Sequence, residues 1–345
     1  EIRLVEELQN MVAQTVMRSE RPEAIKILCL ASYRPLHQYD WCQKLEALDH
    51  LEEVKERLIE QPLAEMTVKK DISILAGISN EISLEVREQY EENPYPRWVK
   101  LAIPTKTQSV SKICDDVKLR LHSENIKEIS APKILVAGCG TGQHSIVTAT
   151  RFSDCQVLAV DLSLASLAYA QRKTKELDVR NLDYLQADIL DLGQLNREFD
   201  IIESVGVLHH MDNPMAGWRV IADLLRPGGL MKIGLYSELA RGPIIKAREE
   251  IASLSVGTSE TEIRNFRQSL KESRDLDHQR LTTFLDFFSL SMLRDLIFHV
   301  QEHRFAIPQI QVCLGELGLK FCGFENKGAI DSMFTEFHGQ GSDIY

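Results

Sequence analysis

The first seventy residues carry apolar side chains at three- and four-residue steps. Leu4, Val5, Leu8, Met11 and Val12 form one set and Leu48, Leu51, Val54 and Leu58 another, a period that predicts helices. Arg34-Pro35 and Gln61-Pro62 are expected to interrupt them, since a proline ring removes a backbone donor and collides with the preceding turn. From residue 131 the pattern changes. Short apolar runs over Lys133–Ala137, Gln156–Val160, Leu182–Gln186, Phe199–Ile202 and Leu230–Tyr236 alternate with helix-like stretches such as Leu164–Leu177. That alternation predicts an α/β fold, a parallel sheet with helices on both faces. Residues 241–301 break it with a mostly polar helical segment, longer than a simple connection needs. Beyond it Ile310–Leu317 reads as a helix, Leu319–Phe324 as a further strand, and Gly339–Ser342 as loop.

Between the two patterns lies Gln89-Tyr90-Glu91-Glu92-Asn93-Pro94-Tyr95-Pro96-Arg97-Trp98. Two prolines so close cannot lie inside a helix or central strand, so an ordered turn or extended arm is expected. Tyr90, Tyr95 and Trp98 would be costly to expose and should pack against something. The arm is either a strap joining two domains or a lip over a ligand pocket, with Tyr90 and Tyr95 facing the substrate and Arg97 offering a charge to a ligand carboxylate.

Composition narrows the function classes. Of 345 residues 44% are apolar and 26% charged, an ordinary globular balance. Forty Lys and Arg against 51 Asp and Glu give a net charge of −11, which argues against non-specific binding to nucleic acid. No apolar run approaches the ~18–20 residues that span a bilayer. The seven cysteines form no C-x-x-C pair and read as reduced thiols, which suggests the cytoplasm. The chain begins at Glu1, so its start is expected to be trimmed.

The chemistry concentrates after the first predicted strand, in Gly138-Cys139-Gly140-Thr141-Gly142. Such a turn passes close under a ligand where a Cβ would collide. Asp161 ends the next strand, 19 residues beyond Gly142 (161 − 142), where a carboxylate can bind ribose hydroxyls. Those two features suit a nicotinamide dinucleotide and S-adenosylmethionine (SAM) alike. Asp188, at the end of the third strand, is placed to accept from an adenine amino group, or alternatively to cap a helix. Phe199–His210 runs from the fourth strand into a polar loop, and Arg226-Pro227-Gly228-Gly229 reads as a tight turn before the fifth.

In its order and spacing the set formed by Gly138–Gly142, Asp161, Asp188, Asp200–His210 and Arg226–Gly229 resembles the class I SAM-dependent methyltransferases. Tyr90–Trp98 also resembles the stretch ahead of the catalytic domain in bacterial methyltransferases that carry tetratricopeptide-type helical regions. The resemblance implies a Rossmann-like sheet and S-adenosyl-L-methionine as cofactor. Gly138, Cys139, Gly140 and Gly142 would pass beneath its methionine and ribose portions. Asp161 would take the ribose and Asp188 the adenine, with Leu162 and Ile189 in apolar contact with the ring. Methyl transfer needs an aligned acceptor, a dry site and sometimes a base. Glu203, His209 and His210 are the candidate catalytic groups, acting on an oxygen or nitrogen acceptor.

A second motif competes. His299-Val300-Gln301-Glu302-His303 matches H-x-x-E-H, and on a helix its two histidines would share a face and could bind one zinc. No third ligand is identifiable, and no metal is assigned. His299, Glu302 and His303 are read instead as lining the acceptor pocket together with Tyr236, or as structural. The expected organisation is a helical domain over 1–72, an arm and helix over 73–130, a SAM-binding domain over 131–240, a helical insertion over 241–305 acting as a lid or a stabilising layer, and completion of the sheet over 306–345. The acceptor is a small molecule or a protein docked by the N-terminal helices. The alternatives are an NAD-linked oxidoreductase and a non-catalytic SAM-binding interaction protein.

Overall fold

A computed structural model of the chain describes residues 2–45, 51–325 and 328–339. The expected contribution of Leu48 and the loop expected at Gln340–Ser342 lie outside the described residues. The chain divides into two units, Glu1–Asp71 and Ile72–Tyr345.

The first unit is helical: α1 (Ile2–Met17), α2 (Ala24–Ala31), α3 (Glu52–Lys55) and α4 (Gln61–Val68). Val12, Val16, Ile27, Leu30 and Leu36 form its core beside the stacked rings of Tyr39 and Trp41, 4.9 Å apart. Leu4 and Met11 stay exposed, so the buried stripe of α1 is narrower than its apolar pattern. Pro35 precedes a separate 3-10 turn, Leu36–Gln38. Pro62, by contrast, does not interrupt its helix. A π turn over Glu56–Glu60 joins α3 to α4, and this wider turn accommodates a residue without an N–H. One helix pair and a bent helix do not confirm a tetratricopeptide-type region.

The second unit is built on six parallel strands in the order β1-β4-β3-β2-β5-β6. They are β1 (Ser73–Ile74), β2 (Lys133–Ala137), β3 (Gln156–Asp161), β4 (Leu182–Gln186), β5 (Phe199–Val205) and β6 (Leu225–Gly234). Ahead of β2 lie α5 (Glu81–Glu92) and α6 (Val110–Val117), and between strands run α7 (Gln143–Arg151), α8 (Leu164–Glu176) and α9 (Pro214–Asp223). The central strands are apolar on both faces, as a sheet covered on both sides requires, and Leu135, Ala137 and Ile202 meet Trp218 and Ile221 of α9 in one core. Side-chain caps fix the helix starts: Asn80 on α5, Ser163 on α8 and Asn213 on α9 each accept from the backbone three residues on.

Four expectations change. Arg226-Pro227-Gly228-Gly229 is not a turn before β6 but a bulge within it, where the pairing jumps from Phe199↔Leu225 to Ile201↔Leu230. Buried Asp200 pins that bulge, accepting from Arg226 Nη1 (2.7 Å) and from the Lys133 backbone N–H (2.7 Å). Leu319–Phe324 forms no strand. The Cys322 carbonyl accepts instead from Arg120 N–H (2.8 Å), and among the described residues no strand after β6 completes the sheet; the added edge strand is β1, from ahead of the glycine turn. Gln89 and Tyr90 belong to the last turns of α5, so the extended part of the arm starts at Asn93.

After β6 come α10 (Gly242–Ser253), α11 (Glu260–Glu272), α12 (Leu276–Leu281) and α13 (Leu290–Ile297), then α14 (Ile307–Glu316) and α15 (Gly328–His338). Helices α10 to α13 have their own core of Ile244, Ile263, Phe266, Leu281, Phe287 and Leu293. Phe287 is buried there, but Phe284 and Phe288 are exposed. The 3-10 turn Leu285–Phe287 puts only one of the three rings on the inner face. No described helix is long and apolar enough to cross a membrane.

Candidate active site

The glycine turn leaves β2 with Gly138, Gly140 and Gly142 all at positive φ (80°, 52° and 84°). Two of the three are also sterically required. A Cβ on Gly138 would fall 2.3 Å from the Val207 side chain, and one on Gly142 would fall 2.6 Å from Ala170. Asp161, at the end of β3, holds the turn in place: one carboxylate oxygen accepts from Gly140 N–H (2.7 Å) and the other from Ser163 N–H (3.0 Å). Burial pushes its carboxyl above the usual range, against the pull of those two donors. Each oxygen keeps a further lone pair for a ligand hydroxyl.

Asp188 is buried and caps the 3-10 turn Ile189–Leu195 through Leu190 N–H (3.0 Å). Ile189 is buried in the sheet core, and the Leu162 carbonyl accepts from Gln186 Nε2 (2.8 Å). Cys139 is buried, which pushes its thiol well up. Glu203, on β5, is buried against α7, where His144 Nε2–H (2.8 Å) and Thr148 Oγ1–H both donate to it. Burial alone would raise its pKa; these donors outweigh it and hold the carboxylate below its usual range.

The arm lies directly on the glycine turn. Thr141 Oγ1–H donates to the Pro96 carbonyl (2.6 Å), Trp98 Nε1–H donates to the Thr141 carbonyl (3.1 Å), and the Tyr95 carbonyl lies 3.2 Å from where a Gly140 Cβ would be. Trp98 is buried, with Tyr169 of α8 donating to its carbonyl. Arg97 is exposed, its guanidinium 4.8 Å over the Tyr169 ring. The arm also reaches the insertion: Tyr90 donates to Asp295 of α13 (2.7 Å), Tyr95 to Asp286 (3.3 Å), and Arg294 pairs with Glu92 (2.9 Å). The arm thus ties the glycine turn to the insertion within the second unit.

Residues 299–303 are not helical. They run extended across the carboxyl end of the sheet, tied by His303 N–H to the His209 carbonyl (2.7 Å) and followed by Phe305 N–H to the Tyr236 carbonyl (2.8 Å). The zinc-motif side chains go three ways. His299 stacks on His210 (3.6 Å between ring centres), Glu302 is wholly buried in an ion pair with Arg241, and His303 bonds the Asp212 carbonyl (3.2 Å). Without a helix the two histidines share no face, and no group of three potential ligands among the described residues is placed for a metal.

What forms instead is a stack. Arg241 covers one face of Tyr236 (3.7 Å), His209 lies flat on the ring (3.7 Å), His210 meets His209 edge-on (4.4 Å), His299 follows, and Tyr90 ends the series 5.9 Å away. Burial pushes the three histidines down, His209 to about 2, His210 to about 4 and His299 to about 2, so all are neutral rings near neutral pH. His210 Nδ1–H donates to the Gln301 carbonyl (2.7 Å), whereas both ring nitrogens of His209, wholly buried, have no partner among the described residues. A separate cavity of about 790 Å³ lies at the opposite end of the strands, near Gln156, Asn181 and Phe199, and is lined by none of the candidate site residues.

A parallel sheet with a glycine turn after β2 and a carboxylate at the end of β3 is the arrangement by which open α/β sheets hold nucleotide-type cofactors. The comparisons make this specific. Residues 134–229 match the family described as a methyltransferase domain. The chain is 30% identical over 217 residues to an uncharacterized protein of Synechococcus sp., covering 58% of this chain and 50% of that protein. It is 26% identical over 184 residues to the ubiquinone biosynthesis O-methyltransferase of Acinetobacter baumannii, covering 48% and 76% respectively. The solved structure of PKMT2 from Rickettsia typhi in complex with AdoHcy shares the fold, with a TM-score of 0.51, 19% identity, and coverage of 68% of this chain and 50% of that one. The chain thus spans about half the length of the Synechococcus and Rickettsia proteins it resembles. Residues 134–229 thus carry the pattern of a methyltransferase domain, for which the resemblance implies SAM as cofactor.

The residues present fit such a cofactor: a turn kept free of side chains, and a carboxylate with spare lone pairs held level with it. Three groups escaped the sequence reading. Asp286 and Asp295 lie in the insertion and carry no motif, and the His144–Glu203 pair shows only once α7 lies on β5.

Proposed function

We propose that the chain transfers the methyl group of SAM to an acceptor that enters between the arm, the insertion and the carboxyl ends of the strands. The observation that carries this reading is the direct clamp between the arm and the glycine turn, Pro96 and Trp98 on Thr141, because it places the acceptor-side tyrosines against the cofactor cradle. When bound, SAM supplies a methyl group on a positively charged sulfur. The turn and Asp161 orient it. The histidine stack, neutral and buried, serves as a dry aromatic wall and not as a base, and Glu203 positions α7 instead of taking a proton. Asp188 and Ile189 are read at the adenine end, where the cap that Asp188 already makes also fixes its carboxylate. Arg97 is read as packing the arm onto α8. The names of the relatives do not decide the acceptor atom, since an O-methyltransferase stands beside the (S)-coclaurine N-methyltransferase of Papaver somniferum.

The N-terminal unit, with Leu4, Met17 and Ile25 exposed, is read as a docking element for a protein, and the seven free thiols favour the cytoplasm. The test is a thermal-shift comparison of S-adenosylhomocysteine with NAD on the intact chain and on Asp161→Ala. Stabilisation of about 2.7 kcal/mol at 100 times the dissociation constant is expected for the homocysteine compound alone, falling to about 0.4–1.4 kcal/mol in the variant at the same concentration. A shift with NAD alone would sink the reading. Tight binding with no methyl transferred to any fraction of a lysate would leave a SAM-binding interaction protein.

A further inference from the structure

Asp295 is 8% exposed, and its one hydrogen-bond partner among the described residues is the neutral Tyr90 hydroxyl (2.7 Å). Asp286, half-buried, has only the Tyr95 hydroxyl (3.3 Å). No described cation reaches ion-pair distance of either. Arg241, whose charge does act on Asp295, is committed to Glu302 through two contacts and stacks on Tyr236. A buried carboxylate without a counter-charge is costly, and a ligand that brings the charge relieves the cost. An independent sign of a ligand lies on Tyr236, the ring on which both carboxylates act. His209 is wholly buried with neither ring nitrogen partnered, and it lies flat on Tyr236, the third tyrosine of the group.

We infer that the acceptor is a basic amine, received as its ammonium among Tyr90, Tyr95 and Tyr236 and held by the Asp286 and Asp295 carboxylates. The inference rests on the methyltransferase reading above and deepens it. Carboxylates and phenol oxygens accept from an ammonium, Tyr236 contributes its hydroxyl because Arg241 and His209 cover its faces, and the neutral His209 adds an acceptor nitrogen without a repelling charge. A hydroxyl acceptor would leave both carboxylates uncompensated, and an anionic one would be repelled. The cluster also has the right address, since the same Tyr95 lies over Gly140 of the cofactor turn.

An ammonium has no lone pair to attack with. It first gives a proton to the Asp295 carboxylate, which burial and the neighbouring Asp286 charge push up to about 6. The freed nitrogen pair forms the new N–C bond as the methyl–sulfur bond breaks. That bond's electrons stay on the sulfur, which becomes a neutral thioether. The product is a methylated ammonium, and the proton on Asp295 leaves to solvent with it.

The test uses phenethylammonium and 2-phenylethanol, matched in shape and differing in charge, titrated by calorimetry into the full chain saturated with S-adenosylhomocysteine. The expected result is at least ten-fold tighter binding of the ammonium. Asp286→Asn and Asp295→Asn should each abolish that preference while binding S-adenosylhomocysteine within two-fold of the parent. Equal affinity for the two probes, or a preference that survives both variants, overturns the inference. Failure of the parent to bind S-adenosylhomocysteine would sink the methyltransferase reading instead, so the two failures are separable. A scanning-calorimetry trace for each variant checks that it is folded.

Discussion

The glycine-turn side, proposed to hold the cofactor, and the side proposed to receive the acceptor are built by different means. The cradle is backbone geometry: three glycines at positive φ, one carboxylate and two N–H donors, all within residues 138–163. The acceptor side is assembled from side chains at 90, 95, 209, 236, 241, 286, 295, 299 and 302, drawn from the arm, the end of β5, the segment after β6 and the insertion. The cradle has few polar groups and satisfies them internally. The acceptor side buries an ion pair, two carboxylates without counter-charge and three neutral histidines. A group common to every substrate can be met by a fixed turn; a particular acceptor has to be met by placed polar atoms, which are costly to bury.

The difference breaks first at Arg241. Replacing it by Met leaves Glu302 charged, wholly buried and unpaired, and should cost about 3–5 kcal/mol in urea unfolding. Replacing Glu302 by Met as well should recover most of the loss, because no charge is then left unpaired. If the single variant loses under 1 kcal/mol, the acceptor side is wetter than described.

Acid should be nearly as damaging, and for a reason confined to that side. The three histidines have depressed pKa values, so their contribution is present above about pH 6.5, the unfolded value, and is lost as the pH falls and the unfolded chain takes up protons. Asp295, facing Tyr90, Asp286, Arg241 and Glu302, has the opposite sign. Its raised value, about 6, makes the fold gain stability as the pH falls from 6 towards 4. Three protons against one leaves a net loss of roughly 2–3 kcal/mol per pH unit between pH 6.5 and 5. Urea midpoints across that range measure it, and a flat profile would mean the histidines are hydrated.

The same contrast explains what the sequence disclosed. Gly138, Gly140, Gly142 and Asp161 act within one β-turn-α-β stretch, so their spacing alone carries the geometry. Asp295 acts through Tyr90 and Asp286 through Tyr95, about two hundred residues away, and nothing local marks them. The H-x-x-E-H spacing was informative only if helical, and α13 ends at Ile297, two residues before the motif begins. Leu319–Phe324 has a strand-like apolar pattern, but its backbone finds a loop residue, Arg120, instead of a strand to pair with. Apolar pattern reports burial; pairing depends on what else reaches the edge.

Asp161 sharpens the comparison from the cradle side. Asp161→Ala removes a charged acceptor from Gly140 and from the cofactor, and should weaken S-adenosylhomocysteine binding roughly 10- to 100-fold, a loss of about 1.5–3 kcal/mol. Asp161→Asn should be little better. Its amide would have to point an N–H at either the Gly140 or the Ser163 N–H, and the turn would shift. Binding in Asn close to that of the parent would mean that the carboxylate is a ribose ligand alone and not the anchor of the turn.

The smallest effect tests whether the two sides are coupled at all. Trp98→Phe keeps an aromatic ring against Tyr169 but deletes the donor to the Thr141 carbonyl, a loss of about 1 kcal/mol in stability. Thr141 also holds Pro96, so the arm should stay on the turn but loosen. If the clamp transmits between cradle and acceptor side, the variant should weaken S-adenosylhomocysteine and phenethylammonium by similar few-fold factors. It should also reduce the gain in ammonium affinity that saturation with S-adenosylhomocysteine produces, because coupling between two sites is reciprocal. A variant that weakens only the homocysteine compound would confine Trp98 to the cradle. The two halves of the cleft would then be neighbours without communication, and the arm a strap whose lip is set by Tyr90 and Tyr95 alone.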